Sequence, residues 1–290
     1  MTDIQTTGER GTLMQHLGCR RTGGKPGSSS SCQLLAVTSG KGGVGKTYVV
    51  VNLALALSRA GKRVAILDAD YGLANVDVVL GLTPEYHLGH VLEGKKSLRS
   101  IIVTGPEGIH LIPASSGVQG LTEMGNHRLS LLWEEIADLR RDYDYILVDT
   151  AAGISDNVIG TLSLCDRVIV MLAPEPTAIV DAYALIKVLL RRNAPQEILL
   201  LVNAAEDARE AEGVHRQLAC AVERFLGRQL GYLGCIPRDR KVAVSVRRQQ
   251  PLLITHPKNL AARYVLRIAD QLMKRDEAAT GRARSMLEVN

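Results

Sequence analysis

Residues 34–47 read Leu34-Leu35-Ala36-Val37-Thr38-Ser39-Gly40-Lys41-Gly42-Gly43-Val44-Gly45-Lys46-Thr47, an apolar run followed by a glycine-rich turn that closes on a lysine and a threonine. From Gly40 the spacing is G-x-x-x-x-G-K-[ST], with one additional lysine, Lys41, at its front. Gly40, Gly42, Gly43 and Gly45, with Val44 between them, let backbone N–H groups converge on phosphate oxygens. Lys46 reaches the β/γ-phosphates, and the Thr47 hydroxyl ligates Mg²⁺. The following helix points its positive N-terminus at the same anion.

Working outward, apolar β-type runs occupy 34–38, 63–67, 109–112, 144–148, 167–172 and 198–202, with a shorter one at 232–236. Helical periodicity fits 46–60, 127–140, 177–192, 209–227 and 257–275. Strands alternating with helices predict an α/β, three-layer P-loop NTPase fold with a mostly parallel central sheet flanked by helices. No internal repeat or second domain is evident, so one domain is expected over 33–275. Residues 1–32 are polar and rich in Gly, Ser and Thr, which predicts a disordered leader. Within it Leu13, Met14 and Leu17 have the spacing of a short docking helix. Residues 276–290 are charged and small, and are expected to form a flexible tail.

With 46% hydrophobic residues but only 3% aromatic, the core must be built from Leu, Val, Ile and Ala. A net charge of +5 permits anionic partners without demanding them. The five cysteines, Cys19, Cys32, Cys165, Cys220 and Cys235, are odd in number and form no C-x-x-C pair, which argues against a disulfide framework or zinc ribbon. The N-terminus has no apolar signal core, and no apolar run has the length of a membrane span. A cytoplasmic location is expected, with peripheral attachment at the cell pole or inner membrane left open.

Parallel sheets place ligands at the C-terminal ends of their strands, and acids stand there. The run ending at Leu67 is followed by Asp68-Ala69-Asp70, and Tyr145–Val148 by Asp149. Asp149 suits a carboxylate that holds Mg²⁺ directly or through water. Asp68 and Asp70 lie two residues apart at the end of an extended segment. One can face the nucleotide, where a carboxylate could orient or deprotonate water, while the other supports the loop or caps the helix at 73–80. Catalysis is the favoured role for Asp70, and Asp68 is left undecided. Lys41 reads equally as a cation for the same phosphates, a finger reaching a neighbouring subunit's nucleotide, or a surface lysine.

Lys41-Gly42-Gly43-Val44-Gly45-Lys46-Thr47 resembles the deviant Walker A signature of the MinD/ParA class of ATPases, and the resemblance extends over nearly all of 33–275. Asp68–Asp77 is similar to that class's switch I, and Asp149–Ile154 to its switch II. Pro174–Ile179 followed by Asp181–Lys187 resembles the flagellar-number regulators of the FlhG/FleN branch, as does Gly72-Leu73-Ala74-Asn75-Val76-Asp77. The resemblance implies ATP and Mg²⁺ as cofactors, and Lys41 as the lysine that contacts nucleotide across an ATP-dependent homodimer. It also implies Asp70 positioning the lytic water, Asp149 acting on Mg²⁺ through its second shell, Asn203 hydrogen-bonding adenine, and Pro237 and Asp239 lining the base pocket. Two departures stand out. Tyr48 follows Thr47 where a smaller residue is usual and would crowd the α-phosphate side, and the leader lacks the Asp-Gln-Ala-x-x-Leu-Arg activation motif of some flagellar members.

The function implied is a slowly hydrolysing, dimerising switch that controls flagellar number or placement. The partners implied are a flagellar master transcription activator, a flagellar signal-recognition-type GTPase and a flagellar switch component. The rivals are a ParA-like DNA-partition ATPase, a MinD-like division-site ATPase and, more distantly, a nitrogenase-reductase relative, which would need paired cysteines that Cys165 lacks. Arg238, Arg240, Lys241, Arg247 and Arg248 form a basic cluster, read as a solvated face in preference to a DNA site. Leu260, Tyr264, Ile268 and Leu272 form a stripe expected to pack on the sheet, with a weak peripheral membrane contact left open.

Overall fold

The computed structural model describes residues 32–114, 126–192 and 197–287. The expected leader, with Leu13, Met14, Leu17 and Cys19, lies outside these residues, apart from Cys32.

The chain alternates strand and helix. Its strands are β1 (Gln33–Thr38), β2 (Val64–Ala69), β3 (Val103–Thr104), β4 (His110–Ile112), β5 (Tyr145–Thr150), β6 (Arg167–Leu172), β7 (Glu197–Ala205) and β8 (Gly231–Pro237). They form one sheet in the order β3-β4-β2-β5-β1-β6-β7-β8. Every pairing is parallel except β3 with β4. The loop after β1 therefore sits mid-sheet, with Asp149 of β5 and Asp68 of β2 level with each other on one side of it.

Alternation along β1 explains the layers. Leu34 and Ala36 pack into one core, and Leu35 and Val37 into the other. The first core is covered by α4 (Asn126–Leu139), α5 (Asp156–Ser163), α6 (Pro176–Arg191) and α7 (Ala208–Leu226). The second is covered by α1 (Lys46–Arg59), α2 (Val76–Leu80), α9 (Leu252–Thr255) and α10 (Leu260–Leu287). The short helices α3 (Leu88–Leu92) and α8 (Arg240–Arg247) complete the set among the described residues. The low aromatic content is answered by aliphatic packing: Leu53, Leu55, Leu57, Ile66 and Leu67 are fully buried.

Two details differ from the sequence reading. The buried stripe of α10 is Ala261, Val265, Ile268 and Leu272, whereas Leu260 is exposed and Tyr264 only half-buried. The helix also continues past residue 275 to Leu287. Asp276, where fraying was expected to begin, accepts hydrogen bonds from the Tyr145 hydroxyl and the Arg167 guanidinium. Arg275 donates to Glu197 at 2.8 Å and to the Tyr232 carbonyl at 3.2 Å. These bonds clamp the helix to four strands.

Candidate functional site

The loop between β1 and α1 adopts a conformation that only its glycines permit. Gly43 and Gly45 have φ of +78° and +90°, a region costly for residues bearing a Cβ. At Gly40 the constraint is space, because a Cβ there would come within 2.4 Å of the Asp181 backbone in α6. No side chain caps α1, and its first ladder bond runs from the Val49 N–H to the Gly45 carbonyl, 3.1 Å. The first-turn N–H groups thus converge on the loop, which makes an anion site.

Lys46 is buried, with Nζ donating to Ser39 Oγ at 3.1 Å. Burial pushes its ammonium pKa down, against the pull of Asp149 and Asp70. The Ser39 hydroxyl donates to the Lys41 carbonyl (2.7 Å), and the Ser39 carbonyl accepts from the Gly153 N–H (2.9 Å). Ser39 therefore ties the loop to the segment after β5, a role that sequence reading missed although Ser39 directly precedes the motif.

Asp149 is fully buried at the end of β5 and is the register partner of both Val37 and Asp68. Neither of its carboxylate oxygens has a hydrogen-bond partner of normal geometry. Burial raises its pKa to about 7, with Thr47 and Lys46 opposing and Asp70 adding to the rise. An orphaned buried carboxylate beside a threonine hydroxyl and a lysine fits Mg²⁺ with phosphate: Thr47 would ligate the metal and Asp149 would accept from its water shell. When bound, the metal neutralises phosphate charge.

The Asp68–Asp70 pair divides its labour. Asp68 is buried and accepts from the Asp70 N–H (3.1 Å) and the Val76 N–H (3.3 Å), fastening the loop and the start of α2. Burial, then the neighbouring Asp149 charge, raises its pKa well above the usual range. Asp70 lies closer to solvent, its Oδ1 accepting from the Leu73 N–H at 3.1 Å.

Lys41 turns outward. Its Nζ donates to Glu175 Oε2 at 2.8 Å and to Thr177 Oγ1 at 3.4 Å, both at the start of α6. The lysine side chain is 42% exposed and the glutamate 54%.

On the far side of the loop, Asn203 Nδ2 donates to the Val44 carbonyl at 2.7 Å, which leaves Oδ1 and one N–H for another partner. Ala204, with φ +57°, and the register shift between Asn203 and Ala205 set this orientation at the end of β7. Pro237 is buried at the neighbouring end of β8. The Asp239 carboxylate is used structurally: Oδ1 accepts from the Lys241 N–H (2.7 Å), capping α8, and Oδ2 from Asn259 (2.9 Å). The Tyr48 ring packs on the second core near Ser245 and Leu252, away from the loop, so it does not crowd the phosphate side.

These features define a P-loop nucleotide site with a second lysine at its mouth. A family of AAA domains matches residues 32–195. The chain is 42% identical to the antiactivator FleN of Pseudomonas aeruginosa, across 81% of this chain and 84% of that protein. It is 32% identical to the flagellum site-determining protein YlxH of Helicobacter pylori, across 86% and 85%. Among solved structures, Aquifex aeolicus MinD in its MinC:MinD cell division complex superposes with a TM-score of 0.69 at 30% identity, covering 84% of this chain and 96% of that one. The chain belongs to the MinD/ParA class of P-loop ATPases. ATP and Mg²⁺ are the cofactors of this class, and MinD from Pyrococcus horikoshii, similar in fold, has been solved with Mg-ADP. No helix among the described residues is long and apolar enough to cross a membrane.

Proposed function

We propose that the chain is an ATP-dependent dimerising switch that regulates flagellar number or placement and hydrolyses ATP slowly. The observation that carries this reading is the position of Lys41, at the mouth of the loop, directed outward and held by Glu175 and Thr177. A cation that does not serve its own loop is available to a nucleotide in a second subunit, where it would neutralise charge developing on the phosphates. Of the three strand-end acids, Asp68, Asp70 and Asp149, Asp70 lies closest to solvent and would position the water. The flagellar role rests on likeness to FleN and YlxH. Its partners would be a flagellar transcription activator, a signal-recognition-type GTPase or a switch-complex component, and the switch would act in the cytoplasm or at the membrane surface.

Asp70→Ala with saturating ATP is expected to elute as a dimer on gel filtration, and a monomer there rejects the switch. Deletion of the gene should alter the number of flagella per cell, and an unchanged count rejects the flagellar role. One observation favours a partition-type reading: Arg240, Lys241, Arg247 and Arg248 are exposed on and beside α8, with no ion pair among the described residues. DNA affinity that falls steeply with salt would support it.

A further inference from the structure

The helix α8 and the turn after it carry cations that no acid answers. Arg240, Lys241, Arg247 and Arg248 are exposed, and none forms an ion pair among the described residues. The acid next to them in sequence, Asp239, is already occupied by the Lys241 N–H and by Asn259.

The same surface exposes aliphatic side chains. Val246 on α8 is 46% exposed, and Ile254 on α9 is 40% exposed. Each is the sequence neighbour of one member of a bonded pair, Ser245 Oγ and Thr255 Oγ1, 3.1 Å apart. That bond keeps α8 and α9 together at the level of both side chains. The helix α2 ends against this corner. The Gln249 carbonyl lies 3.7 Å from the place a Cβ would take on Gly81. The Gly81 N–H bonds the Val78 carbonyl at 3.2 Å, and the Gln249 N–H bonds the Val246 carbonyl at 3.0 Å. Val78, 43% exposed, and Val246 therefore stand one turn behind the two helix ends that meet.

The combination selects among partners. A phosphate backbone engages the cations and leaves the three aliphatic side chains in water. The elements at this corner are helices, so a partner strand finds no strand edge on them to extend. A helix with one apolar face flanked by carboxylates meets both features.

We infer that this corner binds an acidic amphipathic helix of a partner protein, its apolar face on Val246 and Ile254 and its carboxylates on Arg247 and Arg248. This gives a surface to the partner binding proposed above and does not depend on the dimer.

The test places a benzoyl-phenylalanine photo-crosslinker at position 246 of the full chain, in cells of its own organism. The expected adduct is a protein segment of net negative charge, with apolar residues at helical spacing, identified by sequencing the linked peptide. A synthetic copy of that segment should bind the purified nucleotide-free chain, and added salt should weaken it. Val246→Ser with Ile254→Ser leaves every charge in place and should weaken the peptide by at least about tenfold. Arg247→Gln with Arg248→Gln should weaken it to a similar extent and remove most of its salt dependence. Both double variants should melt at the native temperature, because all four side chains are exposed. An adduct to nucleic acid, a linked peptide that is basic or lacks the apolar spacing, or no adduct at all would overturn the inference. So would a peptide whose affinity survives either double variant. Failure of the Asp70→Ala dimer leaves this outcome untouched, because the peptide is titrated against the chain without nucleotide.

Discussion

Asp68 and Asp149 are register partners on the adjacent parallel strands β2 and β5, and both are buried at the C-terminal edge of the sheet. Asp68 is hydrogen-bonded by two backbone N–H groups, whereas neither Asp149 oxygen has a hydrogen-bond partner of normal geometry. The nucleotide-free protein thus keeps one acid for structure and another that binds a proton more readily than a free aspartate does.

The pH dependence follows from Asp149, whose folded-state pKa is raised to about 7 from an unfolded value of about 4. Its contribution to stability is fully present below about pH 4 and is lost as pH rises through about 7, because the folded state holds the proton across that window. Asp68 acts in the same direction. Stability of the nucleotide-free protein should therefore fall between about pH 4 and 7, and Asp149→Asn should flatten that fall. Urea titrations at several pH values will measure both. Binding of Mg-nucleotide should release close to one proton at about pH 6 and little at about pH 8, as read by calorimetry in buffers of different ionisation enthalpy.

Gly40 and Gly42 provide a paired test of the loop. A methyl group at Gly40 collides with the Asp181 backbone, whereas one at Gly42 meets nothing within 4 Å. Gly40→Ala should lower stability by about 1–3 kcal/mol through displacement of α6, and Gly42→Ala should leave it unchanged. Equal melting temperatures for the two variants would contradict the close approach of α6.

The layers, the parallel strands and the phosphate loop were legible because they rest on local pattern: periods of two and 3.6, and a motif contiguous from Gly40 to Thr47. The place of Asp149 at the C-terminal end of β5 was legible because it directly follows the apolar run Tyr145–Val148. Roles that depend on what crosses the sheet were not. Nothing local in Asp239 separates a base contact from a cap. Tyr48 follows the loop in sequence, but α1 turns its ring into the second core. Glu175 and Thr177 lie more than 130 positions from Lys41 and meet it only because β6 neighbours β1. The α10 register slipped by one residue because Leu260 and Ala261 both fit the period, and packing on the sheet selected the smaller.

Asn203 braces the loop through its 2.7 Å bond to the Val44 carbonyl. Asn203→Ala removes a hydrogen bond worth about 1 kcal/mol, which should weaken ATP binding roughly fivefold. Asn203→Asp should be worse, because it sets an acceptor and a negative charge against a carbonyl beside the phosphate site. Titration with a fluorescent ATP analogue will rank the three proteins. If the alanine variant binds as tightly as the native protein, the donor at Nδ2 is not what matters.

Lys41 and Glu175 form an exposed pair, so its loss should leave the melting temperature essentially unchanged. Its effect should appear on the lysine itself. The hydrogen bond that Lys41 donates to Glu175, and then the Glu175 charge, hold the Lys41 pKa above the ordinary value. Glu175→Gln should lower that pKa and speed acylation of the Lys41 amine by acetic anhydride, measured by mass spectrometry of the loop peptide. Concentrated salt should speed it in the native protein, through screening, and have less effect in the variant. Lys41→Ala should bind ATP within about threefold of the native protein, because Lys46 and the loop amides remain in place. It should lose the dimer that Asp70→Ala traps with ATP, and within that trapped dimer the native Lys41 should resist acylation. Full labelling of Lys41 in an ATP-bound dimer would place the lysine in solvent and remove it from the partner's nucleotide.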